Sequence, residues 1–341
     1  MNRINALLCY FVIGLVAMPL AGQSDKPTPE DEPRLDLQSV SFGVRYRMLQ
    51  NQLGSRVQNW SDHHQGFKLR LRLDRSARYS LSAVAFNGDS FAAGWNLRGL
   101  GGQSSNRLFL KQLFLTARPR SGVEFQYGGL PIVRGESSEI TSYDNDGYLM
   151  GRRLTLSPHR VIDELTATAG YLGDLRSPSV TRRWHRLSDI NYGQLLVRRR
   201  LTDRLTATAD FTEDDGERTF RQGAVIRPSR GADLVRVEAY ERVSGPRGQG
   251  GAITAEKPFG RTRIAASLAS IDSRYRPVNG DRYGRGRRLS LTSTTTLGRD
   301  VSLQVFVTRA LDNDVVMANR TRLDVLLRYE LASVLRQIAG R

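Results

Sequence analysis

Val40-Ser41-Phe42-Gly43-Val44-Arg45-Tyr46-Arg47-Met48 alternates an apolar residue with a small or charged one at every step. In an extended chain successive side chains point to opposite faces, so Val40, Phe42, Val44, Tyr46 and Met48 share one face and Ser41, Gly43, Arg45 and Arg47 share the other. A helix would spread both sets around its circumference. The stretch is therefore a strand with one face for an apolar medium and one for water.

The same period recurs along the chain. Phe67, Leu69, Leu71 and Leu73 alternate with Lys68, Arg70, Arg72 and Asp74. Further copies are carried by Tyr79 and Leu81, Val123 to Tyr127, Leu165 to Tyr171, Leu205 to Phe211, Val235 to Ala239, Ile264 to Leu268, Val301 to Val307, and Leu323 to Leu331. Six weaker segments lie near 107–117, 147–156, 191–200, 219–227, 250–257 and 286–296. The reading is about sixteen strands (14–18), with a fold class of all-β, as a transmembrane antiparallel up-and-down barrel.

The connections support this, because short and long ones alternate. Short links fall at 74–78, 119–122, 157–163, 202–204, 228–232, 258–262 and 298–300. Long links fall at 50–65, 87–105, 130–146, 172–190, 213–218, 243–249, 273–285 and 309–319. Tight turns on one rim and longer loops on the other are the habit of outer-membrane barrels, and they place both barrel ends on the periplasmic side. A soluble sandwich or propeller also alternates. Against it, no internal repeat has blade length, and the outward sets end in Tyr46, Tyr127, Tyr171, Phe211 and Tyr329, where interfacial aromatics belong.

The N-terminus reads as an export signal: Arg3 precedes an apolar stretch over 6–20, and Ala21 and Gly22 lead into polar residues. An uncleaved anchor is the alternative, and the apolar core is short of the ~20 residues a span prefers. The expected organisation is a signal peptide at 1–22, an irregular acidic periplasmic lead-in at 23–38 with Pro27, Pro29 and Pro33, a barrel at 39–331, and a periplasmic tail at 332–341 that is a short helix or a frayed end. The single cysteine, Cys9, lies in the leader, so the exported chain has neither a disulfide nor a thiolate metal site. A mean hydropathy of −0.41 does not oppose a membrane location, because barrel strands hide their apolarity by alternation.

The formal charge is +17, and only four of the 51 basic residues are lysine. The charges are scattered between apolar residues instead of massed in a tail, which argues against a nucleic-acid partner. Arginine's planar fork suits phosphates and carboxylates, whether of lipopolysaccharide or of a permeating solute.

No enzymatic constellation emerges. His63 and His64 fall with Asp62 in the first long link, His159 in a tight turn and His185 in the fourth long link, and none pairs with a serine at strand depth. Asp144-Asn145-Asp146-Gly147 and Asp312-Asn313-Asp314 lack the twelfth-position glutamate of a calcium loop and read as turns. Arg98-Gly99-Leu100-Gly101-Gly102 opens no helix and reads as a loop tip. No cofactor and no metal are expected, and the chain is read as a non-enzyme.

With the strands, the turn alternation and the last strand Arg322-Leu-Asp-Val-Leu-Leu-Arg-Tyr-Glu-Leu331 in view, the chain resembles the porin-like bacterial outer-membrane proteins from about Ser39 to Leu331. The resemblance is architectural and rests on no sharp motif. Such barrels commonly stop at a terminal aromatic, whereas this chain runs on to Arg341. The resemblance implies a bacterial outer-membrane location, a diffusion channel for small hydrophilic solutes, and a homotrimer as the assembly it leaves open.

Assigning the apolar sets to lipid turns Arg45, Arg47, Lys68, Arg70, Arg72, Arg322 and Arg328 into the pore, with Asp74, Asp324 and Glu330 among them. A mild anion preference follows. The third long loop carries Glu136, Glu139, Asp144 and Asp146 against Arg134. It resembles in position and sign the loop that general porins fold into the lumen opposite a basic wall, although the sequence leaves open whether it folds in or stays outside. A barrel without transport, acting as a structural or docking partner in the envelope, is the alternative function.

Overall fold

The computed structural model describes residues 35–88, 107–136, 148–157, 162–172, 179–272, 274, 286–312 and 320–339. The expected leader, Arg98 to Gly102, Glu139, Asp144, Asp146 and His159 lie outside these residues.

Sixteen strands follow one another: β1 (Leu35–Gln50), β2 (Arg56–Arg72), β3 (Tyr79–Phe86), β4 (Phe109–Arg120), β5 (Val123–Pro131), β6 (Tyr148–Leu156), β7 (Glu164–Tyr171), β8 (Tyr192–Thr202), β9 (Leu205–Asp214), β10 (Glu217–Ile226), β11 (Leu234–Arg242), β12 (Gly248–Phe259), β13 (Thr262–Ile271), β14 (Gly286–Thr296), β15 (Val301–Ala310) and β16 (Thr321–Glu330). Each pairs antiparallel with its sequence neighbours, and β1 pairs with β16, so the sheet closes into a barrel with no free edge. All ten clear segments and all six weaker ones are strands. Most are 8–12 residues long, the length a tilted strand needs to cross the apolar layer.

Closure works because the seam matches on both faces. Outward, Phe42, Val44 and Tyr46 lie opposite Tyr329, Leu327 and Val325. Inward, the Glu330 carboxylate accepts from the Ser39 hydroxyl and the Val40 N–H, each at 2.7 Å. Beyond the seam the tail is an α-helix, α1 (Ala332–Ala339), started by the Leu335 N–H to Leu331 carbonyl bond and tied down by the Ser333 hydroxyl donating to Asp300 at 2.6 Å.

Three boundaries differ from the sequence reading. Strand β1 begins at Leu35, so 35–38 of the expected lead-in is sheet. The register slips between Leu37 and Ser39, and that bulge reverses the phase, placing Leu35 and Leu37 outward beside Leu71 and Leu69. Strand β2 begins at Arg56, which shortens the first link to 51–55 and puts Asp62, His63 and His64 in the wall. The outward residues there, Ser61, His63 and Gln65, are polar, so apolar alternation gave no sign of the strand. The fifth link shrinks to Asp215 and Gly216, whose φ angles of 49° and 84° fit a two-residue primed hairpin turn.

Besides these polar residues of β2, the outward face carries an arginine on β6. The β6 row Leu156, Leu154, Arg152, Met150, Tyr148 faces outward, since Arg152 lies opposite Tyr127 and Ala169. An arginine near the midplane of a barrel's lipid face costs about 2–4 kcal/mol.

Candidate functional site

Alternation through β16, β1 and β2 turns one continuous polar surface into the lumen. Arg45 and Arg47 are buried there, and Asp62 stands directly opposite Arg45 across the β1–β2 ladder. The Arg45 guanidinium contacts the Asp62 carboxylate at 2.5 Å. Asp324 of β16 is shared: Arg47 donates to both of its oxygens at 2.9 and 3.0 Å, and Arg322 reaches it at 2.6 Å. Arg45 lies 4.0 Å from the same carboxylate, linking the two groups into one network. The Arg47 and Arg322 guanidinium groups also lie 5.5 Å from the ring centres of Trp60 and Phe306, a cation–π range. Arg288 on β14 is fully buried beside this network.

Lys68, Arg70, Arg72 and Arg328 continue the wall toward the rim of tight turns. Lys68 and Arg328 are exposed, and Arg70 and Arg72 are half-buried. All seven predicted basic residues thus fall on the lumen side of one three-strand panel, but its acids differ from expectation. Asp62 belongs to the panel, and Asp36 is added to it opposite Arg70. Asp74 leaves it, because its carboxylate closes the β2–β3 turn by accepting from the N–H groups of Tyr79 at 2.7 Å and Arg78 at 3.2 Å, and from the Ser76 hydroxyl. Desolvation pushes that carboxyl up, and these donors outweigh it and hold it below the usual carboxylate range. His64 faces inward with Ser41 at 3.1 Å, and His63 faces outward, so the pair presents no shared metal face.

Half-way round the barrel from β1, the lumen face of β8 and β9 receives the start of the third long loop. The Gln194 amide donates to the Val133 carbonyl at 3.0 Å, the Glu136 N–H donates to the Thr208 hydroxyl at 3.1 Å, and the Glu136 carboxylate pairs with Arg198 at 2.9 Å. The Arg153 guanidinium holds the Pro131 carbonyl, the Gln126 amide oxygen and the Thr168 hydroxyl. Residues 132–136 therefore turn inward and run along the inner wall. Gly135 is what allows the approach: its φ is +59°, and a Cβ there would meet the Thr208 side chain at 2.9 to 3.0 Å. The arrangement sets a loop bearing Glu136 on one side of the lumen and the arginine panel on the other. On the same wall, one inward position farther from the tight-turn rim than Thr208, Arg221 and Asp210 form a second buried pair at 3.0 Å.

Sequence reasoning missed Asp36, Arg153, Arg198, Arg221 and Asp210. The even-numbered polar set Thr206, Thr208, Asp210 and Thr212 on β9 could have signalled a lumen face. Nothing local announces that Arg198 would receive Glu136.

No family model matches the sequence, and no curated protein matches it. Solved structures do. A substituted variant of the Rh. blastica porin aligns over 86% of this chain and 100% of its own, with a TM-score of 0.54 at 13% identity. Salmonella typhi OmpF, in complex with daunomycin, aligns over 87% of this chain and 97% of its own, with a TM-score of 0.58 at 13% identity. The fold is that of the sixteen-stranded porin barrels. At this identity the likeness is one of architecture.

Proposed function

We propose that the chain is an outer-membrane porin, a diffusion channel for small hydrophilic solutes and ions with a mild preference for anions. The observation that carries this reading is the infolded segment 132–136, anchored on the lumen face of β8 and β9 across from the seven-base panel. A loop on one wall and a basic panel on the other narrow the lumen, and the crossing field favours polar solutes over apolar ones. Much of the panel's charge is spent internally, since Arg45, Arg47 and Arg322 engage Asp62 and Asp324. The selectivity therefore rests on the exposed Lys68 and Arg328 and the half-buried Arg70. Residues 1–22 serve as the export signal, lipopolysaccharide is the outer-leaflet neighbour, and a homotrimer is the assembly.

A second reading, a non-transporting barrel that docks an envelope partner, is favoured by one feature: the lumen-facing Thr168, Tyr192, Arg288 and Thr308 are almost fully buried. Planar-bilayer recording separates the two. A channel gives stepwise, ohmic conductance from the purified protein, whereas a sealed barrel leaves the bilayer silent.

A further inference from the structure

The chain continues past its last strand, and the continuation is built onto the tight-turn rim. The outward row of β16, Leu323, Val325, Leu327 and Tyr329, leads directly to Leu331 and helix α1. The Leu331 N–H donates to the Val40 carbonyl at 2.7 Å, which extends the β1–β16 ladder by one step and makes Leu331 the next outward residue. Its carbonyl accepts from the Leu335 N–H at 3.0 Å, so Leu331 is also the N-cap of the helix. Residues three and four positions further along a helix return to within about 60° of the starting direction. Val334 and Leu335 therefore share the outward side with Leu331, and each of the three is 38–40% exposed. The other side is anchored, because Ala332 is buried and Ser333 donates to Asp300 at 2.6 Å.

The neighbouring tight turns end in the same way. The outward row of β12 finishes in Lys257 and Phe259, and that of β14 runs through Leu289 and Leu291 to Leu297 in the following turn; Phe259 and Leu297 are exposed. The Thr296 N–H donates to the Arg261 carbonyl at 2.9 Å, and the Glu330 N–H to the Asp300 carbonyl at 2.8 Å. The β12–β13 turn, the β14–β15 turn and α1 are thus consecutive along the rim. Lys257, Arg261 and Arg299 stand exposed beside the apolar ends, and Arg261 and Arg299 make no ion pair among the described residues. The nearby acids are already engaged. Asp300 accepts from Ser333, and Glu256, on the lumen side of β12, pairs with Arg236 at 3.4 Å and Arg263 at 3.6 Å.

An apolar stripe that prolongs the lipid-facing row of a strand, flanked at the water boundary by unpaired cations, has the chemistry of an interfacial helix on an anionic leaflet. Acyl chains would cover Leu331, Val334 and Leu335, and the guanidinium forks would take the headgroup phosphate. We propose that α1 lies in the periplasmic leaflet and, with the turns at 257–261 and 297–300, forms a collar that binds anionic glycerophospholipid. The inference rests on the reading of the chain as an outer-membrane barrel whose tight turns face the periplasm. It is independent of conduction, because the collar lies on the outer side of the rim.

The first test uses the wild-type protein in detergent micelles, titrated with phosphatidylglycerol and with phosphatidylethanolamine and read by native mass spectrometry. Phosphatidylglycerol should bind at least fivefold more tightly, and the combined Lys257→Gln, Arg261→Gln and Arg299→Gln variant should lose most of that preference. The second test places a single spin label at Val334→Cys, on a Cys9→Ser background, in nanodiscs containing both lipids. Labels at Leu268→Cys on the outer wall and at Ser121→Cys in a tight turn supply the lipid and water references. The Val334 label should resemble the Leu268 label, relaxed more by dissolved oxygen than by a water-soluble nickel chelate. Equal binding of the two lipids by the wild type, an undiminished preference in the triple variant, or a Val334 label that reads as water while Leu268 reads as lipid overturns the proposal. A Leu268 label that also reads as water overturns the barrel reading with it, so the two failures are distinct. The wild-type titration needs no variant, and misfolding cannot mask its answer.

Discussion

Removing one carboxylate from the lumen network should cost more than any rim substitution. Asp324 is the common acceptor of Arg47 and Arg322, whose side chains are only 4% and 3% exposed. Asp324→Ala removes the carboxylate that both guanidinium groups donate to, in a place water barely reaches, and truncating one partner of a buried pair typically costs about 3–5 kcal/mol. Arg45, with its own carboxylate at Asp62, limits the damage by staying neutralised. The loss should therefore sit within that range and not double it. The comparison is Arg218→Ala at the external end of β10, where the Glu213 pair is half exposed and is worth about 0–1 kcal/mol. Both are measured as shifts in the urea midpoint of refolding into detergent micelles, followed by β-sheet circular dichroism. Equal, sub-kilocalorie effects for the two variants would refute the claim that the network is dry and shared.

Other outcomes follow from the same structure. Gly135→Val adds a clash with Thr208 and demands a left-handed backbone that valine avoids, so loop 132–136 should detach and single-channel conductance should rise; an unchanged conductance would mean the loop does not constrict the pore. Asp272, held by the side chain and N–H of its neighbour Arg274, has its carboxyl lowered to about 2. Because the folded value is depressed, the stability it contributes is complete above the unfolded carboxylate value and is lost as pH falls from about 4 to about 2. Asp272→Asn should flatten that part of the pH–stability curve, and an identical curve would argue against the pairing. Single cysteines at Leu53 and Ser121 test the topology: the first should be labelled by an impermeant reagent in intact cells and the second should not.

Much of the barrel is legible from the period of two alone, since Phe42, Val44 and Tyr46 or Leu323, Val325 and Leu327 have no other way to share a face. The misreadings lie where the regular apolar alternation is interrupted, by polar outward residues or by a change of phase. Ser61, His63 and Gln65 hid most of β2, and the bulge at 37–39 hid the first residues of β1 by reversing the phase. The pore was half legible. Alternation puts the seven basic side chains on one face of the panel, but the neutralisation of those in the network depends on partners such as Asp324, which lies 277 residues from Arg47. The infolding of the third loop rests on Thr208 and Arg198, about 70 residues away, contacts that no local pattern encodes. Arg152 was a weak-strand residue in the sequence, and only its register with Tyr127 and Ala169 turned it outward.

The central claim, a water-filled channel whose solvated basic panel selects for anions, is tested most directly by the zero-current potential across a planar bilayer under a salt gradient. The wild type should conduct and should favour the anion mildly, and the preference should fade as salt rises, because the Debye length is about 10 Å at 0.1 M and shrinks further. Replacing Lys68, Arg70 and Arg328 together by glutamate should move the potential toward cation preference with conductance retained. A silent bilayer, or a potential that the triple variant leaves where it was, would contradict the account.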